Sequence, residues 1–203
     1  MDIVLASKSP RRRELLTALG FKNFKIIPAD GEEEVSANVT PGEAVRLIAG
    51  AKAEEVAAKC AEDDLIIAAD TLVYHDGGFL GKPADENDAR KMLRRLSGRC
   101  HTVYSGVALI WKGRKATCFD ETDVYFRELS AAEIDWYVST GEPMDKAGSY
   151  GAQGAGALLV ERIEGDFFNV MGFPLVRFYE LLQEIGFPLL TYLSKGEGFE
   201  KFF

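Results

Sequence analysis

The chain has little from which to build a covalent or metal framework. Its 203 residues include three cysteines, Cys60, Cys100 and Cys118, odd in number, far apart and in no CxxC pattern. Neither a disulfide scaffold nor a zinc site is indicated, and ordinary buried or half-buried thiols are expected. No apolar stretch approaches the length of a membrane span, and no basic N-terminus leads into a long apolar run. These absences fit a cytoplasmic enzyme or binding protein. Positive charge is also short, with 24 Lys and Arg against 32 Asp and Glu and a net charge of −8. That balance argues against nucleic-acid or membrane partners, both of which need a broad basic face, so any phosphate site must concentrate its cations locally. No internal repeat or low-complexity segment is present. The glycine-rich stretches match neither GxGxxG after a strand nor GxxxxGK[ST], which removes the standard dinucleotide and P-loop readings.

What is present begins at the N-terminus. Ile3 to Ala6 suits a short buried strand, and Leu15, Leu16 and Leu19 before Gly20 mark the apolar stripe and end of a helix. Between them Ser9 is a good N-cap and Pro10 fits the first helical position, so Arg11, Arg12 and Arg13 fall in the first turn. That turn carries the positive end of the helix dipole and disfavours cations. An anion bound there would compensate, meeting backbone N–H groups, the Ser7 and Ser9 hydroxyls and guanidiniums. Because successive helical residues fan out by about 100°, one or two of the three arginines are expected to reach it. A solvated basic turn paired with nearby carboxylates is the plainer alternative.

A second strand is expected over Phe24 to Pro28, emptying into the acidic run Asp30-Gly31-Glu32-Glu33-Glu34. The run reads either as a solvated loop or as a source of oxygen ligands for a divalent cation. Thr40-Pro41-Gly42-Glu43 is a capping box opening a helix to about Ala61. Its apolar stripe comprises Val45, Ile48, Ala51 and Val56, with Lys52 inside it, either snorkelling to the surface or delivering its ammonium to an anion in a cleft. Leu65 to Ala69 is a continuous apolar run, the pattern of a strand buried on both faces. Asp70 interrupts it, and a carboxylate there is costly unless hydrogen-bonded, paired or metal-bound. Gly81 and Pro83 fix the backbone around Lys82.

Further on, a helix from Glu86 to Leu96 is capped by Asp85, and His101 to Trp111 with Ala116 to Phe126 reads as a long hairpin. Ser130 opens a second capping box, and Gly141 ends that helix. The stretch from Glu142 to Gly156 is glycine-dense and without apolar periodicity, a loop whose glycines allow close approach to a ligand and whose Gln153 suits a base edge. Another hairpin, Ala157 to Ile163 with Phe167 to Val170, and an amphipathic helix from Pro174 to Ile185 complete the pattern. The elements predict a mixed α/β (α+β) architecture, one domain over residues 1–190 and a tail over 191–203 without an assigned role. Two functions fit: a metal-assisted hydrolase of a phosphorylated small molecule, or a nucleotide-binding regulatory module. A buried Asp70 favours the hydrolase.

The segments Ser7-Lys8-Ser9-Pro10-Arg11-Arg12, Ala69-Asp70-Thr71, Gly81-Lys82-Pro83, Leu96-Ser97-Gly98 and Asp145-Lys146-Ala147-Gly148-Ser149-Tyr150-Gly151-Ala152-Gln153-Gly154 resemble the signatures of the Maf family of nucleoside triphosphate pyrophosphatases. The resemblance runs in register from Ile3 to about Leu182. It implies an inosine triphosphate pyrophosphatase-like fold, an elongated mixed sheet forming two lobes around a cleft, and hydrolysis of a nucleoside triphosphate to the monophosphate and pyrophosphate with Mg²⁺ or Mn²⁺. By the resemblance, Asp70 is the general base, Lys52 and Lys82 are cleft lysines, and Ser7, Arg11 and Arg12 form the phosphate loop. It also places Glu33, or its neighbour Glu32, beside the metal together with Asp70. Arg12, Thr71 and Gln153 resemble the branch that prefers dTTP and UTP, with the 7-methyl-GTP branch and a septum-associated nucleotide-binding regulator as alternatives. A homodimer is common in such a family.

Overall fold

The computed structural model describes residues 1–31 and 39–195. Among these residues seven strands form one mixed sheet in the order β2 (Lys25–Ile26), β1 (Ile3–Leu5), β3 (Leu65–His75), β5 (Cys100–Trp111), β6 (Arg114–Phe126) and β7 (Val160–Glu164), with the short β4 (Gly78–Leu80) pairing the end of β3. β1 runs parallel to β2 and β3, and the other pairs are antiparallel. The mixed α/β expectation holds. The β5–β6 hairpin closes more tightly than its sequence suggests: Trp111 pairs Arg114 across only Lys112 and Gly113, both at positive φ, as a two-residue turn matched to strand twist requires.

Helix α1 (Pro10–Ala18) starts at the predicted Ser9 cap, and α2 (Pro41–Ala57) starts at a complete capping box, although it stops four residues before the expected Ala61. α2 lies on one face of the sheet, where Ala49, Ala53 and Val56 meet Val4, Ala6, Ile66, Ala68 and Ala108. Its approach is close enough that a Cβ on Gly106 would come within 2.2 Å of the Val45 carbonyl oxygen. Ala51, placed on the buried stripe from sequence, is exposed instead, and Ala44, Ala49 and Ala53 take the contact. α1 and α6 (Leu175–Glu184) cover the opposite face, where Leu15, Leu16, Phe178, Leu181 and Leu182 pack on Ile3, Leu5, Leu65, Ile67 and Leu109.

A second core lies further along the same strands. α3 (Glu86–Leu96) and α4 (Ala131–Ser139) pack Leu93, Leu96, Ile134, Tyr137 and Val138 onto Val73, Val103, Val124 and Phe126. The long strands β3 and β5 therefore pass through both cores. On β3 the first core ends at Ala69 and the second begins at Val73, so Asp70 and Thr71 stand in the gap between them.

Three expectations are corrected. Phe167 to Val170 is not the second arm of a hairpin but a short helix, α5 (Phe167–Val170), capped by Asp166, while β7 pairs β6. The side-chain amide of Asn169 donates to Val103 O and Thr122 Oγ1 at 3.0 Å each, tying the segment down through its side chain in place of a ladder. Cys100 is exposed, neither buried nor half-buried, whereas Cys60 and Cys118 are intermediate. The boundary drawn at 190 falls inside α7 (Leu189–Lys195), whose Tyr192 ring packs against Phe21 and Phe187. No helix among the described residues is long and apolar enough to cross a membrane.

Candidate active site

The gap between the two cores opens as a cleft of about 540 Å³, within the range of small-molecule sites. One wall is the sheet with the start of α1 and Lys52 of α2; the other is the segment between α4 and β7, which forms three short 3₁₀ turns, Glu142–Asp145, Ala147–Ser149 and Gly154–Leu159. Ser7, Arg11, Arg12, Lys52, Asp70, Thr71, Lys82 and Gln153 all line it. Glu33 and Glu32 lie outside the described residues.

On the α2 face of the sheet, Lys52 Nζ donates to Asp70 Oδ1 at 2.7 Å, with the two side chains 16% and 7% exposed. This settles the open reading of Lys52: its stem crosses the apolar stripe and its ammonium reaches the buried carboxylate. The pair offsets the cost of taking either charge out of water. Asp70 pairs Gly106 on β5, and the lack of a side chain there lets α2 settle close enough to bring Lys52 within reach.

On the opposite face, Arg12 is 9% exposed and braces the floor of the cleft. Its Nε donates to Gly172 O at 2.9 Å, Nη1 to Ala69 O at 2.8 Å and Ser7 Oγ at 3.1 Å, and Nη2 to Thr71 Oγ1 at 3.0 Å. Thr71 Oγ1 lies 2.9 Å from Ser105 Oγ, which donates to Asn169 O at 2.9 Å. Since each hydroxyl carries one hydrogen, the chain has a fixed direction: Arg12 donates to Thr71, Thr71 to Ser105, and Ser105 to the Asn169 carbonyl. Ser7 Oγ also accepts from the Ser9 N–H at 3.2 Å. Arg13 turns away into a separate groove near Phe21 and Phe24, so two of the three arginines face the cleft.

Across the cleft, Arg11 Nη1 stands 3.7 Å from Asp145 Oδ2, and Lys146 Nζ is 2.8 Å from Asp145 Oδ1. Burial pushes the Asp145 carboxyl up, but the hydrogen bond and charge of Lys146 and the charge of Arg11 outweigh it and leave the group below its ordinary value. Lys82 is exposed at the rim. Among the described residues, the cleft lining thus holds six cationic side chains, Lys8, Arg11, Arg12, Lys52, Lys82 and Lys146, against the two carboxylates Asp70 and Asp145. A protein of net charge −8 has gathered its cations where an anion would sit.

Sequence reasoning gave no role to Lys146, although it lies inside a quoted motif, and none to Tyr137 or Glu142. Burial pushes the Tyr137 phenol up, which keeps it a donor, and its hydroxyl donates to Glu142 Oε1 at 3.0 Å. No local pattern marks that pair, because its partners are backbone amides of the loop.

Residues 2–185 match the family described as Maf-like protein. The chain belongs to the Maf family. Among its relatives are proteins named dTTP/UTP pyrophosphatase: one from Moorella thermoacetica, 51% identical over 91% of this chain and 95% of that protein; one from Caldicellulosiruptor bescii, 45% identical over 96% and 98%; and one from Bacillus pumilus, 44% identical over 91% and 97%. Among solved structures, a HAM1 protein from Coxiella burnetii aligns at TM-score 0.48 and 19% identity, over 91% of this chain and 99% of that one.

A divalent cation, which the Maf resemblance implies, needs oxygen donors. Among the described residues no group of three or more carboxylate, imidazole or thiolate side chains converges on one point, whereas the Asp70 carboxylate lines the cleft. That donor set fits magnesium, which commonly binds through one or two carboxylates plus substrate phosphates and not in an all-protein cage.

Proposed function

We propose that this Maf protein hydrolyses dTTP and UTP to the monophosphate and pyrophosphate, a house-cleaning activity on the nucleotide pool of the cytoplasm. The observation that carries the reading is the six-to-two excess of cations over carboxylates among the described residues that line the cleft of an acidic protein, and the names of the relatives agree with it.

In this reading water attacks the α-phosphorus, the bond from that phosphorus to the bridging oxygen breaks, and pyrophosphate leaves. Asp70 takes the proton of the attacking water, and Lys52 holds its carboxylate in place. Arg11, Lys52 and Lys82 neutralise charge on the triphosphate, and Ser7 presents a hydroxyl to it. Arg12 fixes the positions of Ser7 and Thr71. Asp70 and phosphate oxygens would hold Mg²⁺ or Mn²⁺, which when bound supplies further neutralisation of the phosphates. Gln153 offers an acceptor and donors to uracil and thymine, which present one N–H donor between two carbonyl acceptors.

A panel of dTTP, UTP, CTP, GTP, ATP and 7-methyl-GTP, with pyrophosphate and orthophosphate scored separately, tests the proposal. Pyrophosphate from dTTP and UTP is expected. Orthophosphate would move cleavage to the γ-phosphorus, and absence of turnover would leave a nucleotide-binding protein.

A further inference from the structure

The wall that carries Gln153 is wrapped around one side chain. Glu142 Oε1 accepts from the Tyr137 hydroxyl at 3.0 Å and from the Gly156 N–H at 3.1 Å, and Oε2 accepts from the Ala155 N–H at 3.0 Å. Tyr137 Oη in turn accepts from the Gly151 N–H at 3.1 Å. Both ends of the span 151–156 are therefore tied to the Tyr137–Glu142 pair, and Gln153 stands exposed between the ties. The loop closes so tightly that a Cβ at Gly154 would come within 2.9 Å of Glu142 Oε2, and one at Gly156 within 2.6 Å of Tyr137 Oη. The glycines expected to admit a ligand instead admit the protein's own carboxylate.

Three donors converge on two oxygens that can only accept, so a carboxylate is the group that satisfies them all. An amide of the same shape would turn an N–H₂ against at least one of those donors. Lys146, on the phosphate side of this wall, bonds the Glu142 backbone oxygen and Asp145 and not the Glu142 carboxylate.

We propose that Glu142, with Tyr137, is a positioning residue for base specificity: its carboxylate fixes the loop that presents Gln153 to the nucleobase. The proposal rests on Gln153 reading the base. It separates the two jobs of the cleft, because the clamp touches neither Asp70 nor the arginine turn.

The test combines Glu142→Gln, which keeps size and removes one acceptor, with Gln153→Ala and the double variant in the full-length protein. The readouts are kcat/KM for dTTP and for ATP, and amide hydrogen exchange over residues 150–157. Glu142→Gln is expected to speed exchange in that span and to cut the dTTP-over-ATP preference about tenfold, as for a lost hydrogen bond to the base. In the Gln153→Ala background the same change should leave the remaining preference unmoved, the non-additivity of residues acting through one another. Tyr137→Phe, also near-isosteric, should give the same effects in weaker form. Unchanged exchange overturns the clamp. Faster exchange with intact preference, or an equal further loss in the Gln153→Ala background, overturns its role in specificity. If Gln153→Ala itself leaves the preference of the native protein intact, the base-reading role of Gln153 is what fails, and the exchange result still decides the clamp.

Discussion

The two walls of the cleft follow different building rules. The sheet wall takes its reactive groups from the middle of long strands that pass through two cores, and each is held by partners on neighbouring elements: Asp70 by Lys52 of α2, and Thr71 by Arg12 and Ser105. The loop wall has no long element. It is a run of short turns, and its span 151–156 is held by one carboxylate, one phenol and a few backbone amides. Chemistry placed on the first wall gains fixed geometry from the strands; recognition placed on the second can vary without disturbing the core. In the proposed function the proton-accepting Asp70 stands on the sheet wall and the base-facing Gln153 on the loop wall.

The strongest way to break that division is Asp70→Asn. The proposed function makes Asp70 the base, so the substitution is expected to lower kcat by about 10²- to 10⁴-fold with the ranking of nucleotides unchanged. A steady-state panel that showed an altered ranking would mean the two walls do not work separately, and near-normal turnover would remove Asp70 from the role.

Arg12→Lys sharpens the comparison through stability. A single ammonium cannot bond Gly172, Ala69, Ser7 and Thr71 together as the guanidinium fork does, and the loss is about 2–3 kcal/mol. In a chain of this size the thermal midpoint should fall by roughly 4–12 °C. An unmoved midpoint would show that the brace does not hold the sheet wall.

A further test separates the walls by pH. Tyr150 of the loop wall shares a 2.7 Å hydrogen bond with Nε2 of His101, which is 3% exposed in the second core. Burial, with the charge of nearby His75, pushes the His101 imidazole down to about 3. Unfolded, the same residue takes up a proton below about 6.5. Between those values the unfolded chain binds the extra proton, so stability is present above about pH 6.5 and falls as acid is added, by at most about 1.4 kcal/mol per pH unit. Denaturation midpoints followed from pH 7 to pH 4 should show this slope, and His101→Phe, which keeps a ring against Phe126 and Tyr150, should flatten it. An equally steep slope in the variant would place the acid sensitivity elsewhere.

The same contrast explains what was legible in the sequence. Groups on the sheet wall announce themselves by violating a pattern: Asp70 interrupts an apolar run, Lys52 sits on an apolar stripe, and three arginines occupy a turn that disfavours cations. Caps at Ser9, Thr40, Asp85 and Ser130 were readable because their chemistry is local. The Tyr137–Glu142 clamp was not, since its partners are amides up to fourteen residues away and amides leave no mark in a sequence. The segment at Phe167 read as a strand for a related reason: its aromatic run has β character, but the bonds from the Asn169 side chain to Val103 and Thr122 decide its shape, and these lie far along the chain.

The bond from Arg12 to the Gly172 carbonyl spans 160 residues, and this has a consequence for how the molecule comes off the ribosome. At a synthesis rate of about 5–20 residues per second, the arginine turn waits roughly 8–30 s for its last partner. The β5–β6 hairpin, whose contacts are local, can form in the meantime, as low contact order favours. The turn is thus made long before it is completed, and the nascent chain acquires its cleft floor only once Gly172 has been translated.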